Sequence, residues 1–215
     1  MRLFVAAEIG ERLAGRAADL IGELEKRAAD AAPRARLTWL VADRLHITIK
    51  FIGDVDEVRA AAIVAALQPP LDVEPFDLTV AGMGAFPKNG PPRVLWIGIE
   101  PGRDDLIAAE REISSRLTTL AIPPERRPYS PHLTLARVRE AAGLRSASLL
   151  EGLEDRSLGT TRIDAITLFQ SRLSPKGPTY VPLLRTPLGR PAEPGHGGAN
   201  PSGSRGEPKG PPRSG

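Results

Sequence analysis

The residues best equipped for chemistry come in two short phrases. "HITI" occupies residues 46–49 and "HLTL" residues 132–135. In an extended strand, side chains alternate between faces. His46 therefore shares a face with Thr48, and His132 with Thr134, while Ile47, Ile49, Leu133 and Leu135 back them with apolar surface. The chain has 3 histidines. The two outside the C-terminal tail both stand in this His–apolar–Thr–apolar frame. The plain alternative is a pair of core histidines on amphipathic strands, and the recurrence of the frame weighs against it.

Two imidazoles and two hydroxyls facing one space restrict the chemistry. Zinc usually takes three or four ligands from His, Cys or carboxylate, and no helical H-E-x-x-H occurs. No G-x-S-x-G is present to activate a serine, "GMG" at 82–84 lacks the rest of a dinucleotide fingerprint, and there is no P-loop. Paired histidines suit general acid–base catalysis, in which the neutral ring takes a proton and the charged ring gives one. Threonine hydroxyls can donate to the non-bridging oxygens of a phosphate. Arg137, five residues after His132, carries a guanidinium suited to the same anion. Its odd offset places it on the opposite face of a regular strand, so it joins the site only if the strand ends or bulges near Ala136.

The elements that must hold these residues alternate in type. "RLFVAAE" reads as a strand. "ERLAGRAADLIGELEKRAAD" reads as a helix, with Leu13, Ala17, Leu20, Ile21, Leu24 and Ala28 at helical spacing. "ARLTWLV" and "LHITIKFIG" read as strands. Asp54, with Glu57 three residues on, is expected to cap a helix that stops before Pro69 and Pro70. "FDLTVAGMGAF" reads as a strand and turn, "RVLWIGIE" as a strand, and Asp104 to Leu120 as a helix. "PHLTLARV" is a strand, "SASLLEGLED" a short helix, and "RIDAITLFQSRL" and "TYVPLLR" are strands.

Shifting the chain by the 86-residue spacing of His46 and His132 brings Pro92 onto Pro178 and "PRVLWIG" onto "PTYVPLL". "FDLTVAGM" then falls within one residue of "RIDAITLF". A duplicated α+β lobe explains this: two pseudo-symmetric lobes, each a mostly antiparallel sheet with helices outside. A single irregular α+β domain is the alternative.

Bulk composition sets the outer limits. The 215 residues are 41% hydrophobic and 26% charged, the balance of a soluble globular chain. With no cysteine, disulfides, zinc–thiolate sites, iron–sulfur clusters and cysteine nucleophiles are excluded. The opening "MRLFVAAEIG" is too short an apolar run for a signal peptide, and no window approaches a membrane span. A cytoplasmic protein is expected. The pI is 9.6, but residues 186–215 carry +2 of the net +3, so bulk charge says little about partners of residues 1–185. That tail holds 8 Gly and 7 Pro, is expected to be disordered, and contains an isolated His196 with no assigned role. The domain is expected to span 1–185.

The two His phrases with their flanks, together with "RLFVA", "GAFP" followed by "RVLWIGI", "RPYSPHLTLARV" and "SRLSPKGPTYVPL", resemble the 2H phosphoesterase superfamily. More fully, they resemble the bacterial and archaeal RNA 2′,3′-cyclic phosphodiesterases, also called the 2′-5′ RNA ligase family. The likeness covers roughly residues 2–185. It implies a V-shaped, two-lobed fold with the catalytic cleft between the sheets. It also implies hydrolysis of a terminal RNA 2′,3′-cyclic phosphate to a 2′-phosphomonoester, with 2′-5′ ligation as the reverse sense. By this resemblance His132 is the proton acceptor that activates water and His46 the proton donor to the departing 3′ oxygen. Thr48 and Thr134 hold the phosphoryl oxygens and Arg137 neutralises charge. No metal or nucleotide cofactor is implied. The expected partner is RNA with a cyclic phosphate end or a 2′-5′ linkage, the expected state a monomer. A phosphodiesterase of small cyclic nucleotides and a non-catalytic RNA-end-binding module are the competing readings.

Neighbouring residues have two readings each. Lys50 shares the face of His46 and Thr48, as a contact for RNA phosphate or as an ordinary solvated lysine. Tyr129 lines the cleft or packs under it. Phe51 stacks a base, or follows Ile47 and Ile49 into the core as alternation requires. Arg172 and Lys176 guide RNA backbone or belong to a surface loop.

Overall fold

The computed structural model describes residues 1–125, 127–175 and 177–189. Strand β1 (Arg2–Glu8) leads to helix α1 (Gly10–Ala31) and the short strand β2 (Arg36–Trp39). A 3-10 turn (Ala42–Arg44) then delivers β3 (His46–Asp54), followed by α2 (Glu57–Leu67), β4 (Phe76–Phe86), β5 (Val94–Ile99) and α3 (Arg103–Thr118). The second half continues with β6 (His132–Glu140), α4 (Ser146–Leu150), β7 (Ser157–Ile163), β8 (Ala165–Ser174) and β9 (Gly177–Pro187).

All named strands pair antiparallel, in the order β7-β4-β5-β6-β3-β1-β8-β9, with β2 also on β6. Two four-stranded lobes meet at the β6–β3 junction: one is β3-β1-β8-β9 and the other β6-β5-β4-β7. The two lobes are pseudo-symmetric in strand order, and the alignment behind the expected duplication needs correction. In the sheets β5 is the counterpart of β1, and β9 that of β7, so overlaying β5 on β9 paired strands from different places. Chain order alone could not show this, because each half of the chain sends two strands, β4 and β5 or β8 and β9, into the lobe of the other.

The apolar stripe of α1 is buried as its spacing requires: Leu13, Ala17, Leu20, Ile21, Leu24 and Ala28 all lie in the core. That core is one cluster between the helices and one face of the sheets. It takes in Leu3, Val5 and Ala7 from β1, Ile47 and Ile49 from β3, and Leu133 and Leu135 from β6. The opposite sheet face carries a small separate cluster of Phe4, Ala6 and Phe169, with Tyr180 packed on it.

Four expectations need correction. Asp56, not Asp54, caps α2: its Oδ1 accepts from Arg59 N at 2.7 Å, while Asp54 ends β3. The 76–86 stretch is strand throughout. Leu120 lies past the end of α3. Finally, the folded unit runs beyond 185. Thr186 is buried and donates to Leu67 O, Leu188 is buried, and Gly189 N bonds Leu71 O and Val73 O. The Pro/Gly-rich composition hid these few residues because their docking is long-range. The expected disorder of the remaining tail, and His196, lie outside the described residues.

Candidate active site

His46 and His132 are the first residues of β3 and β6. The two strands overlap only at their starts, through the single rung Ile47–Leu133. Both residues of that rung are fully buried on the core face. Antiparallel geometry then sets His46 beside Thr134 and Thr48 beside His132, all on the other face. The imidazoles are diagonal neighbours across the junction, with β-carbons about 7–8 Å apart or less. Both rings therefore face the same space.

Register carries the arrangement outward in two rows. One runs Glu8–His46–Thr134–Trp96–Gly84, the other Thr167–Ala6–Thr48–His132–Gly98. The rows are related by the pseudo-twofold, and their centres are identical in residue type. Gly84 is required by its neighbour: a Cβ there would lie 2.2 Å from the Trp96 ring.

Arg137 reaches this face because β6 is irregular. Leu95 pairs with Ala136 and Trp96 with Thr134, so Leu135 is an extra residue and the alternation resets. Ala136 turns inward, fully buried, and Arg137 turns outward. Its guanidinium acts on His46, His132 and Tyr180 alike.

The same irregularity occurs in β3, where Val5 pairs with Lys50 and Ala6 with Thr48, leaving Ile49 extra. This overturns two expectations. Lys50 is neither a cleft cation nor a solvated one. It is 1% exposed, donates to Pro123 O at 3.2 Å and lies 3.7 Å from Glu110, whose Oε1 also accepts from Ser114 Oγ at 2.5 Å. Phe51, which strict alternation sends to the core, is instead 54% exposed on the cleft face, its ring 6.3 Å from that of Phe4. Tyr129 packs against the core, and its hydroxyl donates to Thr48 O at 2.9 Å. It thus supports β3 from beneath rather than lining the cleft, and burial, followed by the nearby Glu110 charge, pushes its phenol pKa up. Arg172 bonds Gln170 Oε1 at 3.0 Å, and Lys176 lies outside the described residues.

Each catalytic candidate ring is held the same way. His46 Nδ1 lies 2.8 Å from Arg44 O and His132 Nδ1 2.7 Å from Ser130 O. A carbonyl only accepts, so Nδ1 carries the proton in both rings and Nε2 is the nitrogen left for chemistry. His46 is pushed down to about 4, chiefly by burial; its bond to Arg44 O and the charge of Glu8 oppose this, and Arg137 adds to it. His132 is also lowered, again chiefly by burial, with its Ser130 bond opposing and Arg137 adding to it. Among the described residues, neither Thr48 nor Thr134 spends its hydroxyl on a protein hydrogen bond, and no cluster of three or more His, Cys, Asp or Glu is placed to hold a metal ion.

A model of the 2′-5′ RNA ligase superfamily matches residues 12–174, most of the chain. The chain belongs to the 2′-5′ RNA ligase superfamily. Among curated relatives in this superfamily, the RNA 2′,3′-cyclic phosphodiesterase of Aeropyrum pernix is 37% identical over 142 residues, covering 66% of this chain and 80% of that one. The protein of the same name from Methanothermobacter thermautotrophicus is 30% identical over 185 residues, covering 85% and 96%. Solved structures of the same fold include TT0787 of Thermus thermophilus, with TM-score 0.71, 24% identity and coverage of 87% and 98%. E. coli LigT complexed with 3′-AMP follows at TM-score 0.63, 23% identity and coverage of 87% and 97%.

Sequence reasoning missed part of this candidate site. Tyr180 sets its ring edge-on to His46 at 5.1 Å and packs on Phe4 at 5.0 Å. Burial raises its phenol pKa, while Arg137, Arg44 and Arg2 pull it back. Phe86 and Trp96 flank His132 at 5.2 and 6.1 Å. Local pattern could not find these residues, since long-range strand pairing brings them in. Glu8 stands at even spacing after Phe4 and Ala6 on β1, a signal readable in the sequence.

Proposed function

We infer that this chain is a phosphodiesterase that opens the 2′,3′-cyclic phosphate at an RNA end, leaving a 2′-phosphomonoester, with His132 and His46 as the paired base and acid. The observation that carries the reading is the Ile47–Leu133 rung, which gathers both histidines and both threonines on one face. The names of the curated relatives support the substrate class.

His132, held neutral at pH 7 by burial and Arg137, takes a proton on Nε2 from the attacking water. The new P–O bond forms as the P–O3′ bond breaks, and His46 Nε2 gives its proton to the departing 3′ oxygen. The Thr48 and Thr134 hydroxyls and Arg137 hold the phosphoryl oxygens as charge builds. In the free protein His46 is neutral at pH 7. The anionic substrate offsets Arg137 and adds an opposite charge, so binding raises the pKa of His46 and draws a proton onto it. With a 5′-hydroxyl in place of water, the same steps form a 2′-5′ linkage.

The test is a short RNA with a 2′,3′-cyclic phosphate end, incubated with the protein in EDTA. A 2′-phosphate product is expected. A 3′-phosphate product, dependence on added metal, or tight binding without turnover would overturn the reading.

A further inference from the structure

The pseudo-twofold makes the two histidines equivalent in backbone, in tautomer and in threonine partner, yet the reaction needs one acid and one base. The two rows differ at the positions facing each ring. Glu8 stands opposite His46, and Gly98 opposite His132. We propose that Glu8 is the positioning residue that makes His46, and not His132, the proton donor. The proposal rests on the hydrolase reading above and goes beyond it by naming what breaks the symmetry.

The geometry is specific. On β1, Leu3, Val5 and Ala7 enter the core, whereas Phe4 and Ala6 belong to the cleft-side cluster. Glu8 continues the cleft-side series. Its carboxylate is held there: Oε2 accepts from Thr167 Oγ1 at 2.8 Å, and Thr167 is itself buried at 3% exposure. Thr167 is the counterpart of Gly84 in the other lobe, so the anchor too exists on one side only. The second lobe has no room for an equivalent acid. A Cβ on Gly98 would come within 2.9 Å of Ala81 O and 3.3 Å of Gly82 O.

The groups facing His46 are Glu8 from β1, Arg137 and His132 from β6, and Tyr180 from β9. Those facing His132 are Arg137 from its own strand, His46 and Thr48 from β3, and the uncharged Phe86 and Trp96. Arg137 disfavours a proton on both rings; Glu8 favours one on His46. Burial is the largest cause acting on both rings and Glu8 the smallest on His46, so the carboxylate biases the proton toward His46 once a substrate anion has offset Arg137, leaving the other ring to accept the proton of water. Because His46 Nδ1 is committed to Arg44 O, Glu8 acts through space on a ring whose Nε2 remains available.

The test compares full-length wild type with Glu8→Gln, which keeps the shape and can still accept from Thr167, and with Thr167→Val, which removes the anchor. Ring-nitrogen NMR titrates the histidines without substrate. In Glu8→Gln, His46 is expected to stay neutral to a lower pH by about half a unit to one unit, with His132 unmoved. The descending limb of the kcat profile moves acidward by the same amount, lowering kcat at pH 7.5 about three- to tenfold with KM little changed. Thr167→Val shifts the same limb by less. An unmoved His46, an equal shift of both rings, or movement of the ascending limb alone overturns the proposal. Absence of wild-type turnover would strike the hydrolase reading instead, and the substrate-free titration keeps the two failures apart.

Discussion

Phe51 and Arg137 hold the same position in the two lobes. Each lies five residues past its histidine, and each is turned into the cleft by one extra residue in its strand, Ile49 or Leu135. Phe4 and Val94 sit opposite them in matching register. One backbone irregularity, used twice, thus gives one lobe an aromatic surface and the other a cation.

This division predicts unequal losses. Arg137→Ala removes a charge that acts on both histidines and on the bound anion, and kcat/KM should fall about 10²- to 10³-fold. Arg137→Lys keeps charge without the planar fork and should recover only part. Phe51→Ala should cost less than about tenfold, seen in KM, because an exposed ring can support a substrate without touching the phosphorus. Steady-state kinetics on a cyclic-phosphate RNA end checks this, and equal losses in kcat at both positions would contradict it.

The partner irregularity gives a stability prediction. Lys50→Met fills a similar volume but leaves Glu110 facing a buried site without its cation, and Pro123 O without its donor. Breaking a buried pair in this way should cost about 3 kcal/mol, or roughly 10 °C in Tm for a domain of this size. The double variant Lys50→Met, Glu110→Gln should regain part of the loss. Thermal denaturation measures both, and a Lys50→Met variant as stable as wild type would show that the pair does not hold the segment before β6.

Much of this was legible in the sequence, for physical reasons that differ by feature. Alternation is a local rule, so it placed His46 with Thr48 and His132 with Thr134, and helical spacing gave the whole buried stripe of α1. The same rule failed at Lys50 and Phe51, because a bulge is set by pairing with another strand and leaves no mark in the strand's own pattern. At Arg137 the conditional reading, cleft-facing if the strand bulges near Ala136, was the informative one. Tyr180 and Thr167 enter through β9 and β8, more than 120 residues from His46 at the start of β3 in sequence, and only the sheet order reveals them.

The depressed histidines also predict how stability depends on pH. The pKa of His46 is about 4 when folded, against an ordinary value of 6.5. Between those values the unfolded chain binds a proton that the native protein refuses. Stability is therefore full above pH 6.5 and declines as pH falls toward 4, by up to about 3 kcal/mol from this residue. His132 contributes in the same direction. Urea denaturation at several pH values should give a shallower slope across this window for His46→Gln than for wild type. Superimposable slopes would mean that the ring is not held neutral by burial.

The central claim is that His46 and His132 serve a single phosphorus. It is tested most directly by a double-mutant cycle on hydrolysis of a 2′,3′-cyclic phosphate RNA end, using His46→Ala, His132→Ala and the pair. Acting as one unit, each single change should lower kcat by about 10³-fold or more, and the double variant should be little worse than the poorer single. Losses that multiply, or either single variant retaining wild-type turnover, would contradict the claim.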